Sequence, residues 1–235
     1  MMHIGILSTD CVREELRHQY GDYPDMFEAV FKRVDANLKF SAFDAQCALP
    51  DVDVCDAYLI TGSRHSVYDD LPWIPRLVEF VTQALARDKK IVGVCFGHQL
   101  MAHYFGGRVG PAGGGWAVGV HTSRVEKKPW MRASQPAVAL LSSHKDQVQA
   151  LPGGASLYAS NAFCPIAGFT MGSRVITVQG HPEFSTAYAS ALMTLRREVL
   201  GETVYQAGMA SLDAELDSLV VVGWLVDFLY QEPAA

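Results

Sequence analysis

The sequence over residues 91–99 decides how the rest of the chain is interpreted, and it reads Ile91-Val92-Gly93-Val94-Cys95-Phe96-Gly97-His98-Gln99. The first four residues form a continuous apolar run, which is typical of a central strand in a parallel sheet. A helix-like stretch, Gln99 to Phe105, follows at once. Glycines suit such an abrupt turn, because larger side chains would collide with it. The stretch therefore predicts a nucleophile elbow with Cys95 at its tip.

Cys95 is predicted to lie where a helix begins, and that place suits a reactive cysteine. Free backbone N–H groups and the positive end of the helix dipole stabilise a thiolate, which is the attacking form of cysteine. The competing interpretation is a buried structural cysteine on a sheet. Gly-x-Cys-x-Gly alone leaves these two interpretations evenly matched, because short motifs also occur by chance.

A second motif favours the catalytic interpretation. Gln179-Gly180-His181-Pro182-Glu183-Phe184 follows a predicted strand, and the proline favours extended geometry at His181. In an extended segment residues i and i+2 share a side, so the Glu183 carboxylate can accept a hydrogen bond from one imidazole nitrogen. The other nitrogen is then free for Cys95. An isolated His-Pro-Glu would be interpreted as a solvated strand end, but after the elbow it predicts a triad of Cys95, His181 and Glu183.

The rest of the chain predicts one α/β domain over residues 1–235, with no linker or internal repeat. Apolar patterns before residue 106 predict alternating strands and helices, in the order His3 to Leu7, a helix from Pro24, Lys39 to Phe43, Ala57 to Ile60, Ile74 to Ala86 and Ile91 to Val94. The second half is richer in β structure, with strands at Val118 to Val125, Ala137 to Leu141, Ser156 to Tyr158 and Val175 to Gln179, and with helices at Thr186 to Val199 and Leu212 to Leu229.

Composition argues against several functional classes. The net charge is −6 and no cluster of Lys or Arg forms a patch, so we expect no binding to nucleic acid. The apolar run from Leu219 to Val226 is too short to span a membrane, and Met1 to Thr9 lacks the pattern of a signal peptide. Five cysteines without a Cys-x-x-Cys pair predict neither disulfides nor a zinc site. We therefore predict a soluble, cytoplasmic protein that needs no metal or other cofactor.

Gly-x-Cys-x-Gly-x-Gln followed by His-Pro-Glu resembles the class I glutamine amidotransferase family over Ile4 to Phe184. The resemblance implies a flavodoxin-like, doubly wound α/β fold with a mostly parallel central sheet, flanking helices and a small additional β region. It also implies that the backbone N–H groups of Gly62 and Phe96 form an oxyanion hole. Gln99 is then expected to contact the glutamine or γ-glutamyl substrate.

A further segment, Ser142-Ser143-His144-Lys145-Asp146, resembles the family's Ser-His-x-Asp, which helps to bind the amino and carboxylate groups of the substrate. Ser143, Lys145 and Asp146 are the expected contacts. This chain also departs from relatives similar to GMP synthase, which often have Gly-Gly-Pro where Thr61-Gly62-Ser63 stands and Gly where Lys145 stands. These departures leave the choice of substrate open.

The resemblance implies that a Cys95 thiolate attacks the γ-carboxamide of glutamine, or another γ-glutamyl bond, and releases ammonia or an amine from a γ-glutamyl thioester. From the short stretch that follows Glu183 we expect no ATP-using synthetase domain on this chain. Two enzyme interpretations remain: a glutaminase subunit with a separate synthetase partner, or a free-standing hydrolase of γ-glutamyl peptides or amines. A non-catalytic binding or regulatory module is the alternative from another class, and the intact set of Cys95, His181, Glu183 and Gln99 argues against it.

Overall fold

In residues 1–231, which the computed structural model describes, a nine-stranded sheet carries helices on both faces. In chain order the strands are β1 (His3–Ser8), β2 (Lys39–Asp44), β3 (Ala57–Ile60), β4 (Lys90–Val94), β5 (Arg108–Pro111), β6 (Ala117–Val125), β7 (Ala137–His144), β8 (Asp146–Ala150), β9 (Ala155–Ser160), β10 (Gly168–Met171) and β11 (Val175–Val178). The helices are α1 (Glu14–Tyr20), α2 (Tyr23–Lys32), α3 (Trp73–Ala86), α4 (Phe96–Tyr104), α5 (Thr186–Leu195), α6 (Arg197–Leu200), α7 (Glu202–Ala210) and α8 (Ser218–Tyr230).

The sheet has a parallel half and an antiparallel half. Its order is β2-β1-β3-β4-β11-β10-β9-β6-β7, and every pairing from β2 to β11 is parallel. The first five strands thus follow the doubly wound, flavodoxin-like order, which confirms the predicted fold class. The pairings from β11 to β7 are antiparallel, so the β-rich half extends the central sheet. A separate two-stranded sheet pairs β5 with β8.

Two layers of apolar side chains fix the helices to the sheet. Ile4 and Ile6 of β1 pack with α2 and α8 on one face, whereas Leu7 of the same strand packs with α3 and α4 on the other. This alternation follows the two-residue period of a strand. The two layers bury β3, β4 and β11 almost completely, as their continuous apolar sequences predict, whereas the edge strand β2 stays partly exposed.

Several elements differ from the sequence-based expectation. The polar stretch before Pro24 contains α1, and β5, β8, β10 and α7 were not predicted. The helix expected from Leu212 begins later, as α8, after a single 3₁₀ turn. Those segments are short or partly polar, so their local pattern is weak.

None of the helices within residues 1–231 has the length and apolar character needed to cross a membrane.

Candidate active site

Cys95 lies at the sharp turn between β4 and α4, as the sequence predicts. Its backbone angles are φ 51° and ψ −95°, in a region that non-glycine residues rarely adopt. The Cys95 N–H donates to the Val178 carbonyl of β11 at 2.9 Å, and the Gln99 N–H donates to the Cys95 carbonyl at 3.0 Å. The strained conformation is therefore anchored on both sides of the cysteine.

The two flanking glycines are required by close backbone packing. A Cβ atom on Gly93 would lie 2.7 Å from the Gly97 carbonyl, and one on Gly97 would lie 2.6 Å from the Ile60 carbonyl oxygen. Neither distance is compatible with a side chain, and backbone atoms cannot rotate away as a flexible side chain can. The predicted steric reason for glycine at these positions is confirmed.

His181 and Glu183 form a buried pair beyond the end of β11. The His181 Nδ1 and the Glu183 Oε1 are 2.7 Å apart, and both side chains are almost fully buried. The His181 N–H donates to the Leu141 carbonyl of β7 at 2.8 Å, and the Phe184 ring stacks on the imidazole with centroids 4.0 Å apart. His181 is thus held in three ways: by the hydrogen bond at its Nδ1, by its backbone N–H, and by the Phe184 ring against one face of the imidazole.

Gly62, at the end of β3, shows how close the cysteine and the histidine lie. A Cβ atom on Gly62 would be 2.9 Å from the His181 Cε1 and 3.8 Å from the Cys95 Sγ. Burial by itself lowers the pKa of His181, but the nearby charges of Glu183 and Cys95 and the hydrogen bond to Glu183 raise it to about 10. The ring is therefore protonated at neutral pH, and it borders Gly62 together with the Cys95 sulfur.

Two backbone amides next to the cysteine are free to bind an oxyanion. Within residues 1–231 neither the Gly62 N–H nor the Phe96 N–H donates to a protein acceptor. The Thr9 hydroxyl donates to the Gly62 carbonyl at 2.9 Å, and the Gly97 N–H donates to the Thr61 carbonyl at 3.2 Å. These bonds fix the end of β3 against the start of α4, where two such donors suit a tetrahedral intermediate.

Gln99 and Asp146 form one wall of the cleft that opens over Cys95. The Gln99 Nε2 donates to the Asp146 carbonyl at 2.8 Å and to the Gln179 Oε1 at 3.1 Å. The Asp146 carboxylate accepts a hydrogen bond from the Ser66 hydroxyl. Gln99, Asp146 and Ser66 all line the cleft. A buried carboxylate that faces a cleft is suited to bind an ammonium group.

The other two predicted substrate contacts also line this cleft but differ in surroundings. The Ser143 hydroxyl accepts a hydrogen bond from the Arg196 Nη1 at 3.1 Å. Lys145 is exposed at the rim and has no carboxylate partner within 4 Å in the part of the chain that the structure describes. Seven of the nine predicted site residues thus line one cleft, whereas Glu183 lies behind His181 and the Phe96 side chain is buried.

His98 and His144 are two further histidines, and both are buried. His98 bonds the Thr177 hydroxyl at 2.8 Å and the Ile166 carbonyl at 3.1 Å. His144 bonds the Asp146 carbonyl at 3.0 Å. Burial is the main cause that lowers the pKa of each ring to about 3, so both are neutral. Neither provides a second base beside Cys95.

Several residues that line the cleft were missed by the motif analysis. They come from the loop before α1, from α2, from the loop before β6 and from the segment around α5, and they are Arg13, Tyr23, Trp116, Phe184, Leu192 and Arg196. No local pattern marks them, since they meet only through tertiary packing. For Phe184 the sequence did contain a signal, because this residue directly follows Glu183 in the second motif.

Comparison of the sequence with known families and proteins identifies a matching family and several relatives. A family model described as glutamine amidotransferase class-I matches residues 23–195. Gamma-glutamyl peptidase 3 from Arabidopsis thaliana is 31% identical over 192 residues, which cover 77% of this chain and 76% of that protein. Gamma-glutamyl-L-1-hydroxyisopropylamide hydrolase from a Pseudomonas species is 31% identical over 76% of this chain and 65% of its own length.

Solved structures agree with this grouping at the level of the fold. A glutamine amidotransferase from Thermotoga maritima superposes with a TM-score of 0.78 and 16% sequence identity, over 98% of this chain and 100% of that chain. A glutamine amido transferase from Methylobacillus flagellatus gives a TM-score of 0.74 and 20% identity, over 97% and 92% of the two chains. The shared fold includes the parallel and the antiparallel halves of the sheet.

Proposed function

The chain belongs to the glutamine amidotransferase class-I family, and from this premise we propose that it is a free-standing hydrolase of γ-glutamyl amide bonds. The observation that carries the proposal is the buried arrangement of Cys95, His181 and Glu183, with the imidazole bonded to Glu183 at 2.7 Å and Gly62 bordering both cysteine and histidine. The names of two relatives, a γ-glutamyl peptidase and a γ-glutamyl-amide hydrolase, support the same bond type.

In the first step the Cys95 thiolate attacks the γ-carbonyl carbon of the substrate. The Gly62 and Phe96 N–H groups, which have no protein acceptor within residues 1–231, bind the oxyanion. The His181 imidazolium donates a proton to the amide nitrogen as the C–N bond breaks. An amine or ammonia leaves, and the glutamyl group stays on the sulfur as a thioester.

In the second step water hydrolyses the thioester. Acylation consumes the thiolate charge, which is one of the causes that raise the pKa of His181. The ring then yields its proton more readily, so after the amine leaves it is neutral and can take a proton from water. Water adds to the thioester carbonyl, the C–S bond breaks, and glutamate leaves. Glu183 keeps the imidazole oriented in both steps.

The glutamyl end of the substrate is assigned to the wall that contains Gln99 and Asp146. The Asp146 carboxylate, which the Ser66 hydroxyl holds in place, binds the substrate's ammonium group in this proposal. Lys145 lies close by at the rim and attracts the α-carboxylate.

A single domain, a cytoplasmic location and independence of nucleic acid remain predictions from the sequence.

The test is release of glutamate and ammonia or amine by the purified protein from glutamine and from a γ-glutamyl dipeptide, beside a Cys95→Ala control. We expect turnover of the dipeptide without any partner protein and none with Cys95→Ala. Weak turnover of glutamine alone, raised by an added synthetase, would instead identify a glutaminase subunit. No release from either compound would refute the proposal.

A further inference from the structure

The cleft has a second wall, which continues from His181 through Phe184 and Tyr23. We call it the leaving-group wall, because His181 protonates the departing nitrogen in the proposed mechanism and the amine must therefore lie beside the imidazole. Phe184 stacks on His181, and Tyr23 stacks on Phe184 with ring centroids 6.3 Å apart. Arg13 and Arg196 complete this wall of the cleft.

Arg196 is a half-buried cation without an acidic partner. Its guanidinium lies 5.1 Å from the centroid of the Trp116 ring, and its Nη1 donates to the Ser143 hydroxyl at 3.1 Å. Among the described residues no carboxylate lies within 4 Å of it. Removing an arginine from water costs free energy unless a charge or hydrogen bonds replace the solvent. The guanidinium has five N–H donors, and the Ser143 hydroxyl and the Trp116 ring are its only neighbours named above, so most of these donors have no protein acceptor among the described residues.

A second cation increases this local excess of positive charge. Arg13, at the start of α1, has no carboxylate within 4 Å in the part of the chain described. Burial chiefly lowers the pKa of Arg196, and the positive charge of Arg13 acts in the same direction. Both arginines also line the same cleft. By contrast, Arg64 in the same cleft is neutralised by the nearly buried Asp10, with the Nη2 and the Oδ1 2.7 Å apart.

The two arginines flank helices that contact each other. Arg13 precedes α1, and Arg196 ends α5. Tyr20 of α1 meets Tyr188 of α5 edge to face with centroids 5.5 Å apart, and the Tyr20 hydroxyl donates to the Ala187 carbonyl at 3.3 Å. This packing accompanies two like charges in one cleft, an arrangement that costs free energy unless an anion lies between them.

We propose that Arg196 and Arg13 bind a carboxylate on the leaving group, so that the substrates are γ-glutamyl peptides with a free carboxyl terminus. This inference rests on the proposed function and narrows it. Ammonia carries no anionic group, and neither does an uncharged amine, so those leaving groups make no use of the two guanidinium groups. The fork of a guanidinium matches a carboxylate with two parallel hydrogen bonds.

The experiment compares γ-glutamylalanine with γ-glutamylalaninamide, which differ only in a carboxylate and a carboxamide on the leaving group. We expect the wild-type kcat/KM to favour γ-glutamylalanine by about 10-fold to 100-fold, chiefly through KM, as for a charge-assisted hydrogen bond. Arg196→Gln retains a donor for Ser143 but removes the charge, and it should bring the ratio to within about threefold of unity. Arg13→Gln should reduce the ratio by a smaller factor.

The matched control is Arg197→Gln, a substitution at the adjacent residue. The Arg197 guanidinium binds Glu202 at 2.6 Å outside the cleft, so this variant should leave the ratio unchanged. The inference is overturned if the wild type does not distinguish the two substrates, or if Arg196→Gln lowers both rates equally, since Arg196 would then bind the glutamyl end. Binding of both compounds to Cys95→Ala gives the same comparison without turnover. If the wild type hydrolyses neither compound, the proposed function fails, and the ratio of the two Kd values still decides the inference.

Discussion

The nucleophile and the base of the proposed triad are held in place by different means. Cys95 is positioned by backbone alone, through its strained φ of 51° and through glycines packed against neighbouring carbonyl groups. His181 is positioned mainly by side chains, through the Glu183 carboxylate and the stacked Phe184 ring. The difference teaches that damage around the cysteine should reduce folding stability, whereas damage around the histidine should reduce rate while the chain stays folded.

The largest effect is expected from Glu183→Gln, which retains the shape of the side chain but removes its charge. The imidazolium loses its counter-charge and its fixed orientation, so kcat should fall by roughly 10²-fold to 10³-fold. Steady-state kinetics with a γ-glutamyl dipeptide measures the loss, and circular dichroism checks that the variant is folded. A loss below about tenfold would mean that Phe184 and the backbone suffice to orient the ring.

On the nucleophile side, Gly97→Ala should act on stability. The new Cβ would lie 2.6 Å from the Ile60 carbonyl oxygen, so the free energy of unfolding should fall by about 1–3 kcal/mol, as for overpacking in a core. Urea unfolding measures the change. Gly113→Ala is the matched control, since a Cβ there meets no atom within 4 Å. Equal stability of the two variants would contradict the backbone account of the elbow.

A smaller effect is expected from Phe184→Leu, which removes the ring that stacks on His181 at 4.0 Å. Leucine fills much of the space but offers no flat face, so kcat/KM should fall by about twofold to tenfold, which corresponds to the 0.5–1.5 kcal/mol of an aromatic pair. Because the Glu183 hydrogen bond remains, the pH dependence of the rate should not shift. An unchanged rate would leave the carboxylate as the sole side-chain support of the base.

A last effect concerns the pH dependence of stability. Because the folded-state pKa of His181 is raised to about 10, above the unfolded value of about 6.5, the protonated ring stabilises the fold fully below about pH 6.5. That contribution is lost as the pH rises toward 10. The difference in unfolding free energy between the wild type and His181→Asn should therefore shrink from pH 6 to pH 10. A difference that grows over this range would contradict the charged pair.

The nucleophile side could be predicted from sequence because its causes are local. An apolar strand, two glycines and a helix start are contiguous in residues 91–99, and each glycine meets backbone that belongs to the elbow or to the next strand of the sheet. The histidine side was predicted for a similar reason, since Pro182 and the i, i+2 spacing fix the relation of His181 to Glu183.

The leaving-group wall could not be predicted in this way. Arg13 and Arg196 are far apart in sequence and meet only because Tyr20 and Tyr188 pack α1 against α5. The strand β8 was missed for the same physical reason, because its partner β5 lies more than thirty residues earlier. Contacts between distant short elements leave no periodic pattern, so they become visible only in the folded chain.

The position of Arg13 and Arg196 on helices outside the sheet has a consequence for how such proteins diverge. Neither residue contributes to the elbow or to the oxyanion donors, so random substitution at these two positions can alter which amine is released while the bond-breaking apparatus is inherited unchanged. A library built at positions 13 and 196, selected on different γ-glutamyl amides, is therefore a direct route to new selectivities from this scaffold.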